Sequence, residues 1–162
     1  MRSATFCSND PTNPRNRGFL ALGEDEPAWA RRCDVRDHYA YVTRADAPQI
    51  MVVDVDDHDA PVMQGTVPLG GPAADVLVDG PWPYALLASA DGGATTTLAV
   101  YSLAQSWAPS LAGQLTLPGA RDQRLAIAGS LVIAAGQAGL AAIDVTLPEW
   151  PALAGPLDLA PG

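Results

Sequence analysis

The sequence predicts an all-β repeat protein of the propeller type, built from four-stranded antiparallel blades. Short runs of valine, isoleucine, leucine and alanine alternate with turn residues, including 15 glycines and 15 prolines, and this pattern favours many short strands. Long amphipathic helical patterns are absent. The chain also repeats itself every 42 to 48 residues, which is close to the length of one propeller blade.

The repeat is clearest around one apolar run in each unit, which we interpret as the third strand. Residues 50–55 return as residues 98–103 after a shift of 48, and as residues 140–145 after a further shift of 42. On the C-terminal side of each run, a proline, a glycine and two aliphatic residues recur at the same spacing in all three units. They are Pro61, Gly65, Val67 and Leu69, then Pro109, Gly113, Leu115 and Leu117, then Pro151, Gly155, Leu157 and Leu159.

Two apolar runs precede each third strand, which makes four strands per unit. Both alternating sets of the third strand are apolar, with Ile50 and Val52 on one face and Met51 and Val53 on the other, as expected for a strand covered on both sides. The fourth strand begins at the proline and is more polar, as an outer edge strand should be. The preceding runs are residues 33–35 with 39–42, 76–78 with 84–87, and 125–127 with 131–134.

A partial unit opens the chain, because Pro14, Gly18, Leu20 and Leu22 lie 47 residues before their counterparts in the first full unit. We predict fourteen strands in about three and a half blades, whereas closed propellers have four to eight blades. The sequence therefore predicts an open or incomplete propeller with exposed apolar terminal faces, poor solubility, and a longer parent chain with further repeats upstream. The single domain spans residues 6–159, with units at approximately 6–22, 28–69, 73–117 and 124–159.

Charge excludes several functional classes. The chain has 18 acidic and 9 basic residues, a net charge of −9, and all of its basic residues are arginine. An acidic chain lacks the footprint of a nucleic-acid-binding protein. Without lysine there is no P-loop, no Schiff-base chemistry and no kinase lysine.

One apolar segment invites a membrane interpretation, since residues 125–143 form a run of 19 residues without a charge, near the length of a spanning helix. Gly129, Gly136 and Gly139 divide it into short pieces, which favours buried strands over a membrane span. The first six residues carry no secretory signal pattern.

The repeat units resemble the LVIVD repeat, named for its Leu-Val-Ile-Val-Asp signature. The resemblance is carried by residues 50–55 followed by Asp59-Ala60-Pro61, and by residues 139–145 followed by Pro148 and Pro151. The middle unit departs from it with Tyr101-Ser102, and the first copy has Cys7 at the aspartate position. Repeats of this kind are similar to those of bacterial and archaeal surface or secreted proteins without a common enzymatic activity.

The resemblance therefore implies a non-catalytic binding or surface-display scaffold at the cell surface or outside the cell. Its partner would be a protein or a carbohydrate, and no cofactor is expected. A fold alone does not supply a function.

One acidic turn is a weak candidate metal site. It holds four carboxylates and His58, and oxygen-rich loops of this kind can bind calcium. The spacing of a calcium loop is missing, however, and Asp54 has counterparts in Ser102 and Asp144. We therefore predict that these residues cap turns and bind no calcium with useful affinity. The four carboxylates are Asp54, Asp56, Asp57 and Asp59.

The competing functional class is a propeller-type metal-dependent hydrolase or lactonase, of which this chain would be a fragment. It would need Asp34, Asp54, Asp75 or Asp144 to converge near the propeller axis, whereas a scaffold would leave them on separate turns. No nucleophile motif supports catalysis. We expect His38 and His58 to be surface residues in turns.

Cysteine and tryptophan give the remaining candidates. Cys33 occupies the slot of Val76 and Leu125, so we predict a buried thiol, with a disulfide to Cys7 as the alternative. Trp107 and Trp150 are expected to pack against the prolines that follow them. Trp82, in an apparent insertion at residues 79–83, is the candidate binding residue at a loop tip.

Overall fold

The fold is all-β, as predicted. The computed structural model describes residues 4–7, 16–21, 30–44, 47–88, 95–118, 124–136 and 139–155, and every regular element within these ranges is a strand. The strands are β1 (Ala4–Cys7), β2 (Asn16–Leu20), β3 (Ala30–Arg36), β4 (Tyr39–Arg44), β5 (Gln49–Asp54), β6 (Val62–Pro68), β7 (Ala73–Asp79), β8 (Trp82–Ala88), β9 (Thr95–Ser102), β10 (Ser110–Pro118), β11 (Arg124–Ala128), β12 (Leu131–Gly136), β13 (Gly139–Asp144) and β14 (Ala152–Leu153).

These strands form one two-stranded sheet and three four-stranded sheets. Each strand pairs antiparallel with its neighbour in sequence, so β1 and β2 form a half sheet, β3 to β6 form sheet I, β7 to β10 form sheet II, and β11 to β14 form sheet III. The uncharged run is thus built of β11, β12 and β13, and the prediction of strands rather than a spanning helix is confirmed. The described sheets do not close into a barrel, and they form an incomplete array of propeller-type blades.

The sheets pack face to face in chain order. We call the face that a sheet turns toward the next sheet its forward face, and the opposite one its rear face. Between sheets I and II, one cluster joins forward residues of sheet I to rear residues of sheet II, among them Tyr41, Ile50, Val52, Val76, Ala85, Ala99 and Tyr101. Between sheets II and III, a second cluster joins Tyr84, Leu86, Leu98, Val100 and Leu117 to Val132, Ala134, Ile143 and Val145.

The third strands behave as the repeat predicts on their rear faces and differ on their forward faces. Val53, Tyr101 and Ile143 are all buried. On the forward face Ile50 and Leu98 are buried, whereas Leu140 is only half-buried. The repeat predicts equivalent burial at all three forward positions, and Leu140 departs from that prediction because no described sheet covers the forward face of sheet III.

A two-residue turn joins the first and second strands of every four-stranded sheet. The turns are Asp37-His38, Gly80-Pro81 and Gly129-Ser130, and their first residues have φ values of 55°, 55° and 61°. Asparagine, aspartate and glycine tolerate this left-handed conformation best. The second residue of each turn accepts a hydrogen bond from the residue after the third strand, with N···O distances of 2.8, 2.9 and 2.8 Å from Val55, Leu103 and Val145.

This hydrogen bond fixes which residues are equivalent and corrects the alignment of the second strands. Tyr41 pairs with Val52 and Tyr84 pairs with Val100, so Tyr84 corresponds to Tyr41 and not to Tyr39. The error is two residues, which leaves every side chain on its expected face of the pleat. Residues 79–83 are consequently not an insertion, since the turn there has the same length as its counterparts.

The repeated glycine of the outer strand lies under the next sheet. A Cβ atom at Gly113 would stand 2.5 Å from the carbonyl oxygen of Pro148 and 2.7 Å from that of Glu149. At Gly65 the nearest atom would be the carbonyl oxygen of Trp107, at 3.6 Å. The turns between the third and fourth strands of sheets II and III therefore lie over Gly65 and Gly113, and at Gly113 the approach leaves no room for a Cβ atom.

Candidate functional site

The turn after each third strand is capped by a polar side chain at the same repeat position. The Oδ1 atom of Asp54 accepts a hydrogen bond from the backbone N–H of Asp56 at 2.9 Å. The Ser102 hydroxyl accepts one from Ala104 at 3.3 Å, and Asp144 accepts one from Thr146 at 2.8 Å. The prediction that these three residues are structural turn caps is confirmed.

One further carboxylate of the acidic turn, Asp57, is engaged in the same local way, and Asp54 accepts a second hydrogen bond. Asp57 accepts the N–H of Asp59 at 3.0 Å, and the second oxygen of Asp54 accepts the side-chain amide of Gln64 at 3.3 Å. Asp56, Asp57, His58 and Asp59 are exposed. Within the described ranges, no three histidine, cysteine, aspartate or glutamate side chains come together as a metal site would require. The absence of calcium binding stays a prediction.

Asp144 carries the strongest local interaction among these caps. Its Oδ1 atom accepts a second hydrogen bond, from the Thr146 hydroxyl, at 2.6 Å. The two hydrogen bonds from Thr146 lower the pKa of the exposed Asp144 carboxyl below its ordinary value, with the hydroxyl making the larger contribution. Both bonds favour the ionised form because a carboxylate accepts more strongly than a carboxylic acid.

Two aspartates on first strands connect one sheet to the next. The Oδ2 atom of Asp34, in β3, accepts the backbone N–H of Val78, in β7, at 2.6 Å. The Oδ2 atom of Asp75, in β7, accepts the N–H of Leu125, in β11, at 2.9 Å. The first strands of sheets I and II thus each supply a carboxylate that satisfies a backbone donor of the following first strand.

The four carboxylates that the competing hydrolase hypothesis requires near one axis lie at different places in the sheets. Asp34 and Asp75 lie on first strands and accept hydrogen bonds from separate donors on different sheets, while Asp54 and Asp144 are the last residues of the third strands β5 and β13. Asp75 is only 7% exposed and has Arg32 as an ion partner, with 3.5 Å between Nε and Oδ1. Sequence reasoning missed the bonding role of Asp34 and Asp75, because their partners lie 44 and 50 residues away.

Tyr41 makes a further connection between sheets I and II. Its side chain is buried, and its hydroxyl donates a hydrogen bond to the carbonyl oxygen of Ser106 at 3.0 Å. Burial, followed by the charges of Asp37 and Tyr39 when ionised, raises the pKa of Tyr41 to about 12. The hydroxyl therefore stays protonated at neutral pH and serves as a donor.

Both histidines lie in turns, as predicted. His38 is exposed in the turn between β3 and β4, and its ring lies 4.2 Å from the ring of Tyr39, measured between centroids. His58 is exposed in the acidic turn. Among the described residues, neither histidine belongs to a group of side chains that could hold a metal ion.

The prediction that Cys33 is buried is wrong. Cys33 is an exposed free cysteine, although its counterpart Val76 is buried. Val76 is covered by sheet I, which has four strands. The sheet that precedes Cys33 is the half sheet, and its described residues provide only the counterparts of a third and a fourth strand. Partial desolvation of the sulfur, followed by the charge of Asp34, raises the pKa of the Cys33 thiol to about 11. The side chain of Cys7 lies outside the described residues.

The tryptophans do not lie where the sequence placed them. Trp82 is the first residue of β8 and packs half-buried against the cluster between sheets II and III, so it is not at the tip of a loop. Trp107 and Trp150 are 52% and 77% exposed, so more than half of each side chain faces solvent, and packing against the following prolines stays a prediction. The two tryptophans do not occupy equivalent positions. The backbone N–H of Trp150 donates to the carbonyl of Leu147, as that of Ala108 donates to the carbonyl of Gln105, so Trp150 is the counterpart of Ala108.

No family model matches this chain, and no curated protein matches its sequence. The family resemblance of the repeat therefore stands on the residues alone. In the parts of the chain that the structure describes, no helix has the length and apolar character needed to cross a membrane.

Proposed function

We propose that this chain is a non-catalytic repeat scaffold that binds or displays a partner, as part of a larger protein at the cell surface or outside the cell. The observation that carries the proposal is the use of the carboxylates on the first strands. Asp34 and Asp75 each hold a backbone N–H of the next sheet, which occupies the side chains that a catalytic metal at the propeller axis would need. A carboxylate engaged in this way contributes to stability.

The turns at one edge of the sheets offer the surface for a partner. The turns after the first strands lie beside the turns after the third strands, as the hydrogen bond from Val55 to His38 requires. Trp107, Leu147 and Trp150 are all more than half exposed there. Exposed tryptophan is typical of protein and carbohydrate recognition. Trp82 stays a candidate binding residue, from its half-buried position at the start of β8.

Catalysis is tested directly by supplying Zn²⁺ or Ca²⁺ with a panel of simple esters and lactones. We expect no turnover above the uncatalysed rate and no calorimetric signal for either metal. Metal-dependent turnover that disappears in Asp34→Asn, with the circular dichroism spectrum retained, would overturn the proposal in favour of the hydrolase alternative.

Location and partner are tested in the source organism. Protease treatment of intact cells should degrade the protein, while a cytosolic control protein survives. A glycan array and a cross-linking experiment on the cell surface then distinguish carbohydrate from protein partners. Protection of the chain in intact cells, with digestion only after lysis, would contradict surface display.

A further inference from the structure

The forward face of sheet III is the one forward face of a four-stranded sheet that no described sheet covers. Its side chains correspond to those that form the center of the interface between sheets II and III. Tyr84, Leu86 and Leu98 are buried on sheet II, while their counterparts Ile133, Ala135 and Leu140 are half-buried on sheet III. The forward face of sheet III is thus apolar like that of sheet II, but no described sheet packs against it.

The surroundings of the repeated glycine also differ between sheet III and the other two four-stranded sheets. The repeated glycine lies 3.6 Å (Gly65) and 2.5 Å (Gly113) from a carbonyl oxygen of the next sheet, measured from a Cβ built on each. At the sequence counterpart in the third unit, Gly155, no described atom lies within 4 Å of that position, and Gly155 itself follows the end of β14 with a φ of 124°. Among the described residues, no turn therefore approaches the outer strand of sheet III.

We propose that the forward face of sheet III is the docking surface for one further four-stranded sheet of the same repeat, which presents its rear face. This inference rests on the proposed scaffold function. The occupant follows from continuity, because sheets I and II bury the equivalent face in this way. Its rear face would carry small aliphatic side chains, as Ala85 and Ala99 do on sheet II and Ala134 does on sheet III.

A second copy of the chain offers no free rear face on its four-stranded sheets. The rear residues Ala40, Val42, Met51 and Val53 of sheet I form a buried cluster with Leu20 of the half sheet. The rear faces of sheets II and III are covered by sheets I and II. An additional sheet, and not a duplicate chain, therefore fits the surface.

The experiment extends the full chain after Gly162 with a copy of residues 121–162, so that one more unit follows sheet III at the spacing of the 42-residue repeat. Hydrogen exchange is measured on the backbone amides of β12 and β13 in the original unit, and binding of the dye ANS reports exposed apolar surface. We expect slower exchange in both strands and a loss of ANS fluorescence relative to the unextended chain.

Two matched variants of the original unit localise the effect. Leu140→Asp places a charge on the forward face and should abolish the added protection. Leu153→Asp is the control, since Leu153 pairs with the rear residue Ile143 and is 52% exposed, and it should leave the protection intact. An equal effect of both variants would overturn the proposal.

A second extension, with a copy of residues 69–118, gives the same test with a different rear face and covers the case in which the first does not fold. If neither extension protects β13, the proposal is wrong. It is also wrong if the unextended chain self-associates in sedimentation and Leu140→Asp alone abolishes that association, because a second copy would then occupy the face. Metal-dependent hydrolysis by the chain would overturn the proposed function and leave the exchange result unaffected.

Discussion

Sheets II and III are built from the same repeat but differ in what covers them. Sheet II lies between two sheets, so that Leu98 on its forward face is 0% exposed. Sheet III is covered on its rear face, and its forward residue Leu140 is half-buried. Burial at a repeat position thus depends on the neighbouring unit as well as on the residue, as expected where each repeat contacts only its neighbours.

The largest effect should come from truncating the same leucine in the two sheets. Leu98→Ala removes a fully buried side chain and should lower the free energy of unfolding by about 2–5 kcal/mol. Leu140→Ala removes a half-covered one and should cost about 1 kcal/mol. Urea denaturation of both variants measures the difference, and equal losses would break the comparison between the sheets.

The repeated glycine gives a second comparison. Gly113→Ala places a Cβ 2.5 Å from a backbone oxygen, so the turn of sheet III must shift, at a cost of about 1–3 kcal/mol. Gly65→Ala meets its nearest oxygen at 3.6 Å, an ordinary contact, and should change stability by less than about 1 kcal/mol in either direction. Thermal unfolding of the two variants should therefore separate them, and a larger loss in Gly65→Ala would contradict the close approach at Gly113.

The carboxylates of the first strands should matter more than those of the acidic turn. Asp75→Ala leaves the N–H of Leu125 without its acceptor between sheets II and III, which should cost about 1–3 kcal/mol. Asp57→Ala removes an exposed turn acceptor and should cost about 0.5 kcal/mol or less. Urea denaturation gives both values, and a cost for Asp57→Ala equal to that of Asp75→Ala would contradict the assignment of Asp75 as a connector of sheets.

The smallest effect concerns pH. The pKa of Asp144 is lowered in the folded state by its hydrogen bonds to Thr146, so ionised Asp144 stabilises the fold at pH values above its unfolded pKa. That stabilisation is lost as the pH falls through the folded pKa. Thr146→Ala, which removes the hydroxyl donor, should raise the pKa of Asp144 toward its ordinary value in an NMR titration. An unchanged midpoint would show that the hydroxyl is not the main cause.

The repeat in the sequence predicts the strands well because period and turn residues are local signals. The fourteen strands, the half unit at the start and the capping role of Asp54, Ser102 and Asp144 all follow from counting along the chain. The two-residue error at Tyr84 arose because aromatic residues matched out of register. The turn hydrogen bond that fixes the register is a property of the backbone, and the residues that mark its turn are the left-handed Asp37, Gly80 and Gly129.

What the sequence could not predict depends on contacts between units. Cys33 fills an apolar slot, yet its exposure is set by strands that the preceding half sheet does not provide among the described residues. The bond from Asp75 to Leu125 joins residues 50 positions apart, and neither residue alone indicates its partner. Trp150 looks like a packing residue beside proline, but its turn directs most of its surface to solvent.

Native-state hydrogen exchange on the unmodified chain tests the difference between the sheets most directly. The backbone amides of β8 and β9 lie in a sheet covered on both faces, and those of β12 and β13 lie in a sheet covered on one. We predict that β12 and β13 exchange through openings of lower free energy than β8 and β9, because fewer apolar contacts oppose them. Equal protection of the two pairs of strands would contradict the account, since it would mean that the forward face of sheet III is already covered.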